Sequence, residues 1–215
     1  MAADSRPDAL LLVTSTCPLC PQAIAALGEL VKDGTIGRLE VVNLSVRPDL
    51  ARRYGVRSVP WIKLGEFELQ GLHTPAELRQ WAQRAGSFDG LGEYFHELLK
   101  AGQLDQVTAQ VARGGHPLRV LIRLLGDPDT ELTVRIGVNA VIEGLEGQPV
   151  LAEVIGPLTE LARHREPHVR GDAAHLLSHT HQPEAGPLLK TLLNDENADV
   201  REIAHEGLER LRAHS

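Results

Sequence analysis

The sequence predicts two fold classes in one chain, α/β followed by all-α, and three observations carry that reading. Up to Gly86, short apolar runs alternate with segments of helical apolar spacing. The only two cysteines, Cys17 and Cys20, sit between the first such run and the first such segment. Beyond them a Val-Arg pair recurs at Val134-Arg135, Val169-Arg170 and Val200-Arg201, in steps of 35 and 31 residues, with no strand-like run nearby. A chain of 215 residues has room for two small domains. The expected division is an α/β domain at 1–86, a short glycine-containing linker at 87–92 and a helical domain at 93–215.

In order, residues 9–14 form an uninterrupted apolar run, as a strand buried on both faces should. The helix after the cysteines, placed with Cys17 at its start, runs to about Lys32, where Asp33-Gly34 stops it. A second strand is expected at 38–44, a short helix at 48–54 opened by Pro48 and closed by Gly55, and a third strand at 56–64. Gly65-Glu66 before residues 67–70 predicts a hairpin with a type II′ turn. Thr74 as cap, Pro75 first and Glu77 three on predict a last helix ending near Gly86. The order is β-α-β-α-β-β-α.

Charge divides where the pattern does. Ten basic residues meet nine acidic ones up to Gly86, and twelve meet twenty after it. Binding a phosphate backbone needs clustered cations, so no nucleic-acid partner is expected. No run approaches the roughly 18 apolar residues of a membrane helix, and no signal peptide is read at 9–13, so the expectation is a soluble, cytoplasmic protein without a membrane partner. Two cysteines are too few for a disulfide scaffold. Spaced Cys-x-x-Cys, they read as redox or metal chemistry in a reducing compartment.

A helix N-terminus leaves backbone N–H groups unpaired and carries partial positive charge, which favours a thiolate over a thiol. Cys17 is therefore the candidate nucleophile, and Cys20, one turn on, the shielded partner that closes a disulfide with it. Thr16-Cys17-Pro18-Leu19-Cys20-Pro21 after the first strand, and Tyr54-Gly55-Val56-Arg57-Ser58-Val59-Pro60 before the third, resemble the thioredoxin fold over residues 8–86, nearest its glutaredoxin and protein disulfide oxidoreductase branch. The resemblance implies that the Val59-Pro60 bond is cis and packs near the sulfurs, with the Val59 backbone pairing to a bound peptide. It implies thiol-disulfide exchange without a cofactor. Residues 10–14 lack the carboxylate that thioredoxins carry on this strand, and Ser15, Leu72 and Thr74 lack the glutathione-binding set of glutaredoxins, so a protein or dithiol partner is implied.

An apolar stretch precedes each Val-Arg pair, at 118–125, 158–161 and 188–193, and Pro128, Pro167 and Asn194-Asp195 mark turns. This is similar to a small array of HEAT-like repeats. Each hairpin has too little core to stand alone and must be covered by its neighbour. The valines should face inward, and the arginines are either solvated or paired with turn acids such as Asp129 or Asp195. Such arrays bind protein partners.

Nine of the ten histidines follow Gly86, and His175 and His179, four apart, share a helix face that a third ligand such as His181 or His164 would complete as a metal site. Ordinary surface or core histidines are the preferred reading, and no metal site is expected. The predicted function is a thiol-disulfide oxidoreductase for protein disulfides, using Cys17 and Cys20 as catalytic residues, Val59 and Pro60 as substrate-binding residues, and the repeats to recruit a protein partner. The alternative is an interaction scaffold with a weakly active or vestigial redox domain. Metal delivery through the two cysteines ranks third.

Overall fold

A computed structural model of the protein describes residues 6–213. Its internal contacts divide the chain into two compact units, Met1–Leu91 and Gly92–Ser215.

The first unit runs β1 (Ala9–Val13), α1 (Cys20–Lys32), β2 (Leu39–Asn43), α2 (Pro48–Arg53), β3 (Trp61–Leu64), β4 (Phe67–Gln70) and α3 (Pro75–Arg84). The sheet order is β2-β1-β3-β4. β1 pairs parallel with β2, because the α1 crossover is long enough to return the chain, and antiparallel with β3. On one face Leu12 and Trp61 pack with Leu44 against Leu50 and Ala51 of α2. Ala9, Leu11 and Val13 alternate to the other face and are buried there, so the central strand is covered on both sides. Leu64 pairs with Phe67 across Gly65-Glu66, and Gly65 takes φ +58°, the positive value that the first position of a type II′ turn requires.

Two expected boundaries move, each because of a proline. α1 begins at Cys20 rather than at Cys17. Pro21 has no N–H to offer the Cys17 carbonyl, and its ring would collide with that carbonyl in a helix begun four residues earlier. Pro21 instead stands second in the helix, where its missing donor costs nothing. Likewise β3 starts at Trp61, after Pro60, and residues 56–59 stay outside the ladder. At α3 the capping box forms in full, with the Glu77 N–H donating to the Thr74 hydroxyl at 3.2 Å and the Thr74 N–H donating to the Glu77 carboxylate at 2.8 Å.

The expected linker at 87–92 is mostly helix, since α4 spans Phe88–Lys100. The Ser87 hydroxyl accepts from the Gly90 N–H at 3.0 Å, capping the helix, and Gly90 lies so close to the Arg84 carbonyl that a Cβ there would collide with it. The glycines that suggested flexibility include one required by close approach. In the second unit α5 (Leu104–Val111), α6 (His116–Leu125), α7 (Leu132–Glu143), α8 (Ile155–Leu161), α9 (Pro167–Thr180), α10 (Ala185–Leu192) and α11 (Ala198–Ala213) follow, with a 3-10 turn at Pro149–Val154.

Three helical hairpins, α6–α7, α8–α9 and α10–α11, stack so that α9 touches both α7 and α11. Val134, Val169 and Val200, on the second helix of each hairpin, are fully or almost fully buried. Arg135 and Arg170 are largely buried and paired with acids, whereas Arg201 is exposed. Arg135 bonds Asp172 of the next hairpin at 2.7 Å, not Asp129, while Arg170 grips Asp195 with two bonds of 2.7 and 2.8 Å. Arg170 and Arg201 also donate back to carbonyls of the turn before their own helix, at His164 and Arg165 and at Asp195 and Glu196. Among the described residues no helix is long and apolar enough to cross a membrane.

Candidate functional site

Cys17 and Cys20 form a disulfide with their Cα atoms 5.5 Å apart. Cys17 lies in the turn ahead of α1 and is half-buried, whereas Cys20, the first helical residue, is 3% exposed. Any reagent approaching from solvent therefore meets Cys17 first. The turn is held by a bond from the Cys17 N–H to the Thr14 carbonyl at 3.3 Å and one from the Asn43 side-chain amide to the Ser15 hydroxyl at 3.0 Å. Asn43 closes β2, so the parallel β1–β2 pair positions the cysteine turn through its neighbour's last residue.

The antiparallel register locates the other two candidate residues. Leu12 lies opposite Trp61, so the residues just before Trp61 stand at the end of the sheet where β1 leads into the cysteine turn. Those residues are Val59 and Pro60, and the bond between them is cis. Pro60 is buried, Val59 partly so, and the Pro60 carbonyl accepts from the Gly71 N–H at 2.9 Å. Val59 precedes the paired part of β3. Leu19, Val46 and Leu72, all exposed, lie on the segments that leave the same end of the sheet after β1, β2 and β4. This end of the sheet thus holds a disulfide with one accessible sulfur-bearing residue, the cis Val59-Pro60 bond in a bend ahead of β3, and exposed apolar residues on the segments that leave it. β1 offers no carboxylate, as Ala9–Val13 is wholly apolar.

In the second unit, the histidine pair has partners that sequence order hides. His175 Nε2 lies 2.7 Å from a Glu143 oxygen, His179 Nδ1 3.2 Å from Glu146, and His181 Nε2 2.6 Å from the other Glu146 oxygen. His164, one of the two expected third ligands, is instead taken by the Glu166 N–H, which donates to its Nδ1 at 3.1 Å. Burial pushes the His179 pKa down, against the pull of Glu146. Burial would raise the Glu146 carboxyl, but hydrogen bonds from His181 and His179 outweigh it and hold the carboxyl below its ordinary value. The two glutamates lie more than thirty residues before the histidines, and the signal that could have found them is the repeat itself, since stacked second helices bring residues of similar register together.

A family model for a thioredoxin domain matches residues 9–83, and one for HEAT repeats matches residues 118–209. Comparison with curated proteins gives no match. HEAT repeats generally mediate protein–protein interaction, and a thioredoxin domain with a close cysteine pair fits thiol-disulfide chemistry. The chain therefore joins a thioredoxin-like domain to C-terminal HEAT-like repeats.

Proposed function

We propose that the protein is a cytoplasmic thiol-disulfide oxidoreductase acting on protein disulfides, with the HEAT-like repeats recruiting the protein partner. The observation that carries this is the difference between the two cysteines: Cys17 is half-buried in a turn and Cys20 is 3% exposed at the helix start, at the same sheet end as Val59-Pro60.

Starting from the dithiol, the Cys17 thiolate attacks one sulfur of the substrate disulfide. A mixed disulfide forms, and the other substrate sulfur leaves as a thiolate that takes up a proton. Cys20 loses its proton and attacks Cys17 Sγ, which closes the Cys17–Cys20 disulfide and expels the second substrate thiolate. Two electrons pass from the chain to the substrate, and an external dithiol returns them. Exposure sets the roles, because only Cys17 is open to a protein-sized disulfide. The Val59 backbone holds the substrate strand, and the apolar rim of Leu19, Val46 and Leu72 covers its side chains. Neither step needs a cofactor.

A Cys20→Ser variant tests the proposal. Without the resolving thiol, substrates should accumulate as mixed disulfides on Cys17 that are released by added dithiol. Recovery of no adduct with this variant, or equal recovery with Cys17→Ser, would reject the assigned roles.

One observation favours a second reading, a scaffold whose redox domain is weakly active: β1 holds no carboxylate to take the proton from Cys20. In that case the parent chain turns over a generic disulfide slowly because resolution by Cys20 is slow, while partner proteins still bind the repeats noncovalently.

A further inference from the structure

We propose that Glu143, His175 and His179 form a site for one divalent transition-metal ion of the zinc type, with Glu146 as the outer carboxylate that orients His179. The inference stands apart from the redox proposal, since every residue in it belongs to the second unit.

Helical pitch puts His175 and His179 on one face of α9, their rings 4.9 Å apart. Glu143 ends α7, which stacks beside α9. Each of the three residues offers one ligand atom, and these atoms lie within 4.8 Å of one another. Zn–N and Zn–O bonds of about 2.0–2.2 Å put tetrahedral ligands roughly 3.4 Å apart, so the widest spacing must close by about an ångström while the 2.7 Å Glu143–His175 hydrogen bond opens and gives up its proton. Glu143 and His175 can make it, because their side chains are 44% and 36% exposed. His179 is the fixed member, with its side chain 4% exposed.

The chemistry at His179 is the second, independent observation. A carboxylate only accepts, so the contact with Glu146 requires that His179 Nδ1 carry the proton. In the neutral ring Nε2 is then left with a bare lone pair. It is buried and has no hydrogen-bond partner. An unpaired buried acceptor is rare in folded proteins, and a cation satisfies it as a hydrogen-bond donor would. A ligating imidazole whose other nitrogen donates to a carboxylate is the usual arrangement at a metal centre. Two histidines and a glutamate are moreover a donor set suited to zinc that leaves a fourth position open. Glu143 and His175 also line a groove of ≈ 740 Å³, apolar over most of its wall but bearing Asn139, His168 and Asp172, which leaves room for water at that position.

Calorimetric titration of Zn²⁺ into the full chain, with Cys17 and Cys20 held as the disulfide so that no thiolate competes, tests the site. One equivalent should bind with a dissociation constant of about 10 μM or tighter. Glu143→Gln and His175→Gln should each weaken binding at least about tenfold, and Glu146→Gln about 10–100-fold, by loss of the outer carboxylate. The first two changes fall on partly exposed side chains and should leave the helical circular dichroism intact, so they decide the matter even if His179→Gln fails to fold. His205→Gln, on an exposed histidine of α11, should change nothing. Absence of binding by the parent chain, affinity within about threefold of the parent in both Glu143→Gln and His175→Gln, or an equal loss in His205→Gln would overturn the proposal.

Discussion

Arg170 shows how a single residue can set the order of an array. Its guanidinium reaches Asp195 through two bonds and the carbonyls of His164 and Arg165 through two more, with both charged side chains 8% exposed. Removing one partner of such a pair strands the other charge, which costs roughly 3–5 kcal/mol. Arg170→Ala should therefore destabilise the second unit by about that amount in urea unfolding followed by helical circular dichroism. An Arg170→Met, Asp195→Leu double variant should lose less, because neither charge is left buried. The hydrogen bonds from Arg170, ahead of burial, which opposes them, hold the Asp195 carboxyl below its ordinary value. A carboxyl depressed by folding contributes stability that is present above its unfolded value of about 3.9 and lost as pH falls through the folded one. Between about pH 5 and 3 the natural chain should lose stability more steeply than Asp195→Asn; parallel curves would deny the linkage.

At the scale of elements, the end of α1 is tied to the middle of α3, in addition to their packed faces. Asp33, the C-cap of α1, accepts from Arg79 of α3 at 2.6 Å and from the Thr35 hydroxyl and N–H. The Thr35 hydroxyl, then Arg79, lowers the Asp33 carboxyl to about 2. The start of α3 is fixed by the reciprocal bonds of Thr74 and Glu77. Thr74→Ala removes the acceptor for the Glu77 N–H and should cost about 1 kcal/mol, within a range of roughly 0.5–2. Because α3 packs beside α1, whose first residue is Cys20, that loss should appear in the unfolding of the first unit. A midpoint unchanged within error would mean that water replaces the cap at no cost.

For the whole molecule, the division between units falls at Leu91 and Gly92, inside α4, while the proposed redox residues all lie between Cys17 and Pro60. A cut within that helix would expose Leu91, which is buried. Fragments should therefore both keep the helix, one chain ending at residue 101 and the other beginning at residue 87. The first should reduce a generic disulfide within about twofold of the full chain, a rate difference worth less than 0.5 kcal/mol. The second should fold as helix alone and carry the affinity for proteins recovered with the Cys20→Ser trap. Full retention of that affinity by the first fragment would remove the recruiting role from the repeats.

The sequence by itself determined what depends on local pattern. The β-α-β-α-β-β-α order, the turn at Gly65-Glu66, the capping box at Thr74 and the recurring Val-Arg pairs are all written within a few residues of where they act. Periodicity, turn chemistry and caps are short-range physics. Even the corrections at Cys17 and at 56–59 follow from prolines visible in the chain. The tertiary structure alone decided what depends on neighbours distant in sequence. It chose Asp172 rather than Asp129 for Arg135, ordered the 87–92 stretch through the approach of Gly90 to Arg84, and set Glu143 and Glu146 against histidines more than thirty residues away. The side chain that meets a buried charge or imidazole is fixed by how helices stack. No local pattern encodes that stacking, because hydrophobic burial drives it and has no direction of its own.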